Sequence, residues 1–288
     1  VTGFDEHDGL TLGVLGPTVV RHDGRDVAVG GPAPRTVLCR LVVADGRFVS
    51  IDAVVDCLWP DGPPPSARVT AQGYLSVLRR ALEPDRAPRR PGRVLVRDHA
   101  GYALRLTPGT LDADRFATAA DQGRNLLAAG DARAALERFD AALALWRGRA
   151  YADCANHGFA VAESHRLREL RTGAREHRLA ALVELDAHDT AVPQLRAFLT
   201  EHPLRERGWA LLAQALCRAG RQGDALAALR EARNRLVHDV GVEPGPGLAA
   251  LHRDILDQTL TPLPAPAARR ARAPRIARRR SPRAVRRR

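Results

Sequence analysis

Hydrophobic positions along the first hundred residues change their period several times. In LTLGVLGPTVVRHDGRDVAVGG, apolar and polar residues alternate in short runs, predicting strands over 12–15, 19–21 and 26–29 with a turn at His22-Asp23-Gly24. The period then lengthens. Val37, Leu38, Leu41 and Val42 recur at helical spacing in PRTVLCRLVVA, which Asp45-Gly46 ends. RFV reads as a short strand and SIDAVVDCLW as a second helix, with Ser50 as its N-cap and Pro60 just past its end. After a PDGPPP turn comes SARVTAQGYLSVLRRAL, a third helix. RVLVRDHAGYALRL closes the unit as two alternating runs around residues 98–101, a hairpin.

On a helical wheel the third helix has two distinct sides. Thr70, Ala71, Tyr74, Leu75, Val77, Leu78, Ala81 and Leu82 fall on one arc, with Thr70 at its margin. Arg68, Val69, Gln72, Gly73, Ser76, Arg79, Arg80 and Glu83 share the other. The first arc is wide enough to pack on a core. The second offers bidentate donors for base edges and phosphate contacts, although charged helical faces in general are merely solvated. The neighbours decide. Two helices joined by a short turn, the second basic and amphipathic, then a hairpin, have the sequence form of a winged helix-turn-helix. With strands ahead of the helices, the order resembles the OmpR-type subclass.

TPGT at 107–110 marks a boundary, beyond which the chain is helical and rich in Ala and Leu to about residue 260. A shift of 34 residues maps Leu182 onto Leu216, Ala191 onto Ala225, Val192 onto Leu226 and Leu195 onto Leu229. AALERFDAALALW and DALAALREARNRL share one pattern as well. Thirty-four is the tetratricopeptide period, in which small residues let paired helices approach closely. These residues, and Trp146, Phe159 and Trp209, read as structural. The expected fold is mainly α with a small β component: an N-terminal winged helix-turn-helix followed by an all-α tetratricopeptide-like domain. Its parts are a disordered stretch over 1–9, a winged helix over 10–108, the helical domain over 109–261 and an arginine-rich disordered tail over 262–288.

Composition narrows the chemistry. All 45 basic residues are arginine, so lysine-dependent chemistry, a Walker A loop or a pyridoxal Schiff base, is excluded. Neither CxxC nor HExxH occurs, and no nucleophile and base stand at a meaningful spacing, so neither an enzyme nor any cofactor or metal is expected. The four cysteines lie far apart in apolar patterns and read as reduced thiols. With no apolar run long enough for a membrane span and no secretion signal, a soluble cytoplasmic protein without membrane partners is expected. Of the formal charge of +12, the tail carries 11 arginines and no acid. Elsewhere the charge nearly balances, except over 66–97, where eight arginines face two acids. A patch of this kind suits a polyanion.

Several stretches, LGPTVVRHDGRDVAVGGPAPRTVL, FVSIDAVVDCLWPDGPPPSARVTAQGYLSVLRRAL, AGYALRL, ALALWRGRAYAD and EHPLRERGWALLAQALCRAGRQGDALAALREARNRL among them, resemble the Streptomyces antibiotic regulatory protein family. The likeness runs in order over roughly residues 10–260. It implies an OmpR-type winged helix joined to a bacterial transcriptional activation domain. It further implies activation of secondary-metabolite gene clusters by two protomers in tandem on direct repeats of double-stranded DNA, with recruitment of the RNA polymerase holoenzyme. The family's recognition helix falls on 66–82. That places Arg68, Thr70, Gln72 and Ser76 near bases or phosphates, with Arg79 and Arg80 on the backbone. Arg97 and His99 in the wing, and Arg35 at the start of the first helix, complete the implied DNA contacts, while Trp59, Tyr74, Leu75, Leu78 and Tyr102 take core positions. A rival reading is a tetratricopeptide adaptor whose winged helix meets protein and not DNA.

Overall fold

The computed structural model describes residues 9–87 and 90–259. The arginine-rich tail, and all of the expected disordered N-terminus except Gly9, lie outside them. Strands β1 (Leu10–Gly13), β2 (Val19–His22) and β3 (Arg25–Val27) form an antiparallel sheet in that order. Leu12 pairs with Val20, and Val20 with Val27. Asp23 and Gly24 both have positive φ, which lets a two-residue loop match the twist of β2 and β3. The ladder of β1 stops two residues earlier than periodicity predicts. The N–H groups of Val14 and Leu15, although both residues are buried, donate to a carboxylate from outside the sheet.

Helices α1 (Pro32–Val43), α2 (Ile51–Leu58) and α3 (Ala67–Leu82) follow, then a hairpin of β4 (Leu95–Arg97) and β5 (Tyr102–Leu104). Ser50 caps α2 as expected, its hydroxyl oxygen accepting from the Ala53 N–H at 3.1 Å. The RFV stretch contributes only Val49, which exchanges two backbone hydrogen bonds with Tyr102 at 2.8 and 2.9 Å. The three helices pack on one another through Leu38, Leu41, Leu75 and Leu78, all fully buried. This is a winged helix-turn-helix with strands ahead of it.

The remaining helices are α4 (Asp112–Ala128), α5 (Ala132–Ala144), α6 (Gly158–Glu184), α7 (His188–Glu201), α8 (Glu206–Arg218), α9 (Gln222–Val240) and α10 (Pro246–Leu256), each packed on the next. The 34-residue repeat is visible in the backbone. Asp186 and Gly220, 34 positions apart, both take the left-handed conformation that ends a helix. The following residues then make the same hydrogen bond, Ala187 N–H to Leu182 O and Arg221 N–H to Leu216 O. Leu182 and Leu216, Ala191 and Ala225, and Leu195 and Leu229 are all buried, so the repeated residues are the packing residues. None of the described helices is long and apolar enough to cross a membrane.

The interior does not divide at residue 108. One continuous cluster runs from β1 through α1–α3 and into α4, α5 and the first half of α6; a second gathers the rest of α6 and α7–α10. Polar contacts reinforce the shared core. Asp112, only 7% exposed, accepts from Val14 N–H at 2.8 Å and Leu15 N–H at 3.1 Å, and Arg147 reaches the same carboxylate at 2.9 Å. Arg147 also donates through its other terminal nitrogen to Pro17 O, at 2.6 Å, and through its backbone to Leu15 O, at 2.7 Å. Gly16 lies against this residue, and a Cβ there would stand 2.8 Å from the Cβ of Arg147. Glycine is what the approach allows.

Replacing Asp112 with alanine strands two enclosed backbone N–H groups and removes the partner of Arg147. The expected loss is about 3 kcal/mol of unfolding free energy. It is read as a lower urea midpoint with an unchanged slope; a shift of less than about 0.5 kcal/mol would show that the carboxylate holds nothing together.

Candidate nucleic-acid interface

Helix α3 has one side in the protein and one in solvent. Ala67, Ala71, Leu75, Leu78, Ala81 and Leu82 are buried, while Arg68, Val69, Gln72, Gly73, Ser76 and Arg80 are exposed. The elements packed against the buried side, α1, α2 and β4, all belong to the first 104 residues. Tyr74, Val77, Thr70 and Arg79 lie half-buried along the border between the two sides.

The exposed groups differ in their commitments. Arg68 pairs with Asp52 of α2 at 2.5 Å, but both side chains are more than half exposed, and such a pair contributes at most about 1 kcal/mol. It can be exchanged for a phosphate or a base. The Ser76 hydroxyl donates to Gln72 O at 2.9 Å, which leaves its oxygen as an acceptor. Gln72 and Arg80 have no side-chain partner among the described residues. Arg79, placed by its spacing with the exposed arginines, is instead half-buried, with its Nε enclosed and unpartnered among the described residues.

At the wing, the Asp98 carboxylate accepts from Ala100 and Gly101 N–H at 2.7 and 3.1 Å, and so forms the tight turn. Gly101, at φ +137°, sits where a Cβ would be 2.1 Å from Val49 O. That close approach joins the wing to the body. The turn presents His99, whose side chain is 97% exposed, and the guanidinium of Arg97 lies over the Tyr102 ring at 5.5 Å. The loop from α3 to the wing is held by Glu83. Its carboxylate accepts from the backbone N–H groups of Arg93, Val94 and Leu95, so this residue of the polar arc faces inward.

Arg35 stands apart from the other implied contacts. Its guanidinium donates to Asp153 at 3.3 Å, a carboxylate that also accepts from Thr18 N–H. Although burial alone would raise the Asp153 carboxyl, the Thr18 and Arg35 donors hold it below the usual carboxylate range. Arg35 is thus a junction residue. Two further features stand outside the implied contacts: Glu83 as the wing's anchor, and Val69. At 72% exposure, Val69 is the most exposed large hydrophobic residue described. The helical wheel shows the signal for Val69, an apolar residue alone in a polar arc.

Comparison with known proteins follows these two halves. Residues 111–256 match the bacterial transcriptional activator domain family. The regulatory protein AfsR of Streptomyces coelicolor is 37% identical over 93% of this chain, which spans 26% of AfsR. The regulatory protein DnrI of Streptomyces peucetius is 35% identical over 86% of this chain and 92% of its own length. Among solved structures, Mycobacterium tuberculosis EmbR in complex with a low-affinity phosphopeptide superposes with a TM-score of 0.78 at 34% identity. That match covers 87% of this chain and 65% of EmbR.

If Glu83 anchors the wing, alanine at this position frees three backbone N–H groups. Amide hydrogen exchange at Arg93, Val94 and Leu95 is expected to accelerate about tenfold or more, with the helices of the second half unaffected. Unchanged exchange at all three would place the anchor elsewhere.

Proposed function

The chain belongs to the Streptomyces antibiotic regulatory protein family, and from that premise we propose that it is a sequence-specific transcriptional activator of a secondary-metabolite gene cluster. In this reading α3 enters the major groove. Arg68, Gln72 and Ser76 meet base edges or adjacent phosphates, and Arg80 meets the backbone; Thr70 and Arg79 reach the duplex only at the edges of the helix. Arg97 and His99 lie along a neighbouring groove or phosphate run. Two protomers bind direct repeats in tandem near a promoter, and the helical domain contacts RNA polymerase. No catalytic step is involved.

The observation that carries this reading is the open side of α3. Six surface positions of one helix, four of them (Arg68, Gln72, Ser76 and Arg80) with side chains suited to bases or phosphates, are left uncovered next to an anchored wing. A protein-docking face would be expected to carry an apolar centre with aromatic anchors, and the exposed side of α3 offers Val69 as its one large hydrophobic residue. Counterion release from phosphates supplies the attraction, and the base-edge donors supply the choice of site.

Selection of bound sequences from random duplexes tests it. The selected sites are expected to contain a directly repeated element spaced by about one helical turn, about 10–11 bp, or a small multiple. On such a site Gln72→Ala is expected to lose about 1–3 kcal/mol and to relax the preference at one base pair. Arg80→Ala should weaken selected and random duplexes alike and lower the salt slope by about one. Enrichment of no common element, or of inverted repeats only, contradicts the proposal.

Val69 gives an independent check. The apolar group on a major-groove edge is the thymine methyl, and an exposed valine beside Gln72 is placed to cover it. Replacing one thymine of the selected element by uracil is then expected to weaken the native protein about fourfold, the worth of one buried methyl. Val69→Ala should abolish that difference. Equal uracil sensitivity in both proteins would remove Val69 from the reading surface.

A further inference from the structure

The second half of the protein carries a cationic cleft that the DNA-reading surface does not use. It has a volume of about 550 Å³ and lies between the segment after α5, the first half of α6 and the end of α7. Arg149, Arg168, Arg171 and Arg175 line it, against a single lining acid, Glu201. Glu201 is already occupied: it accepts two hydrogen bonds from Arg175, at 2.6 and 3.1 Å. Burial and the neighbouring Arg175 hold His202 below the ordinary imidazole range. Arg149 and Arg168 have no ion pair or side-chain hydrogen bond among the described residues.

Three residues that line the cleft each carry an enclosed polar atom without a partner among the described residues: Trp146 Nε1, Arg171 Nε and Ser164 Oγ. Ser164 is 4% exposed. Two of the three groups can only donate, and the hydroxyl can donate. An oxyanion would satisfy donors of this kind while neutralising the excess of guanidinium charge, which a water molecule cannot do, and guanidinium groups match phosphoryl oxygens in bidentate geometry.

We propose that this cleft binds a small phosphorylated molecule through its phosphoryl group. Arg168 and Arg149 meet the outer oxygens; Arg171, Ser164 and the Trp146 N–H meet the inner ones. The ring of Trp146 offers no stacking platform, since Arg171 lies over its face at 4.6 Å and Phe116 meets it edge to face at 5.3 Å. Recognition therefore centres on the phosphoryl group and not on a base. The volume leaves room for more than one such group. Trp146 and Arg149 flank, within two residues, the Arg147 that grips β1.

Titration of the full chain with pyrophosphate, at ionic strength held constant with sodium chloride, tests the site. Saturable binding of one equivalent is expected, weakened about tenfold by Arg168→Ala, by Arg171→Gln and by Ser164→Ala. Arg230→Ala, an exposed substitution on α9 away from the cleft, should leave it unchanged. Unliganded melting curves matching the native protein's identify which variants keep the fold, and Arg168→Ala, at an exposed position, is expected to be among them. Heat that never saturates, or affinities equal across all four variants, overturns the site. So does displacement of pyrophosphate by a random-sequence duplex that loses affinity with Arg168→Ala, because the cleft would then be a second DNA contact.

Discussion

The carboxylate of Asp112 lies at the first turn of α4 and accepts from the backbone of Val14 and Leu15, while Arg147 holds one of its oxygens and reaches on to Pro17. A buried carboxylate needs such partners, because an unpaired one would cost several kcal/mol or be forced to take up a proton. Its demand ends β1 at Gly13 and turns the next five residues toward the helical domain. Asp153 does the same for Thr18 and Arg35 a few residues further on. Together these contacts tie the β1–β2 loop and the start of α1 to α4 and to the 147–153 segment. The apolar cluster shared by both halves fills the space between. Independent motion of the winged helix would have to break all of them at once.

Because the junction uses β1, the β1–β2 loop and α1, it leaves α3 and the wing unencumbered. The geometry of α3 then follows from packing. Small residues, Ala67, Ala71 and Ala81, share the buried side with Leu75, Leu78 and Leu82, and the helix packs on α1 and α2. Whatever remains faces outward. The wing is set by equally local causes: Asp98 closes its turn, Gly101 lets it meet Val49, and Glu83 fixes the loop that leads into it. Each of these contacts ends on backbone atoms, reached by the carboxylates of Asp98 and Glu83 and by the close approach of Gly101.

Much of this was legible from the order of residues. The three helices, the Ser50 cap, the hairpin and the two-sided character of α3 follow from local periodicity and turn chemistry, and local rules decided them. The 34-residue shift was readable because a solenoid repeats its packing in sequence. Interactions between residues far apart in the chain were not legible. Nothing near Val14 announces that its N–H will be taken by Asp112, nearly a hundred positions away, so β1 was placed two residues too far along the chain. Nor does anything near Arg35 announce its partner Asp153, which lies in the other half. Glu83 and Arg79 fell on the polar arc of the wheel, yet one turns back to the wing and the other slides half under its neighbours. A wheel gives direction from the axis and says nothing of what stands there.

The absence of lysine sharpens the contrast between the two cationic surfaces. Every positive charge here is a planar fork with five donors, so charge alone does not distinguish a site from a solvated face. What distinguishes them is whether the donors find acceptors. Along the helices many arginines do: Arg166 with Glu163, Arg205 with Glu169, Arg233 with Glu243. These are surface pairs worth little, but they leave no demand unmet. On α3 and in the 146–175 cleft the balance differs. On α3, Gln72 and Arg80 stand free in open solvent, as suits an extended polyanion laid across them. In the cleft the free donors converge and are partly enclosed, as suits a small anion held from several sides. One composition thus yields two kinds of cationic surface, separated by burial rather than by charge.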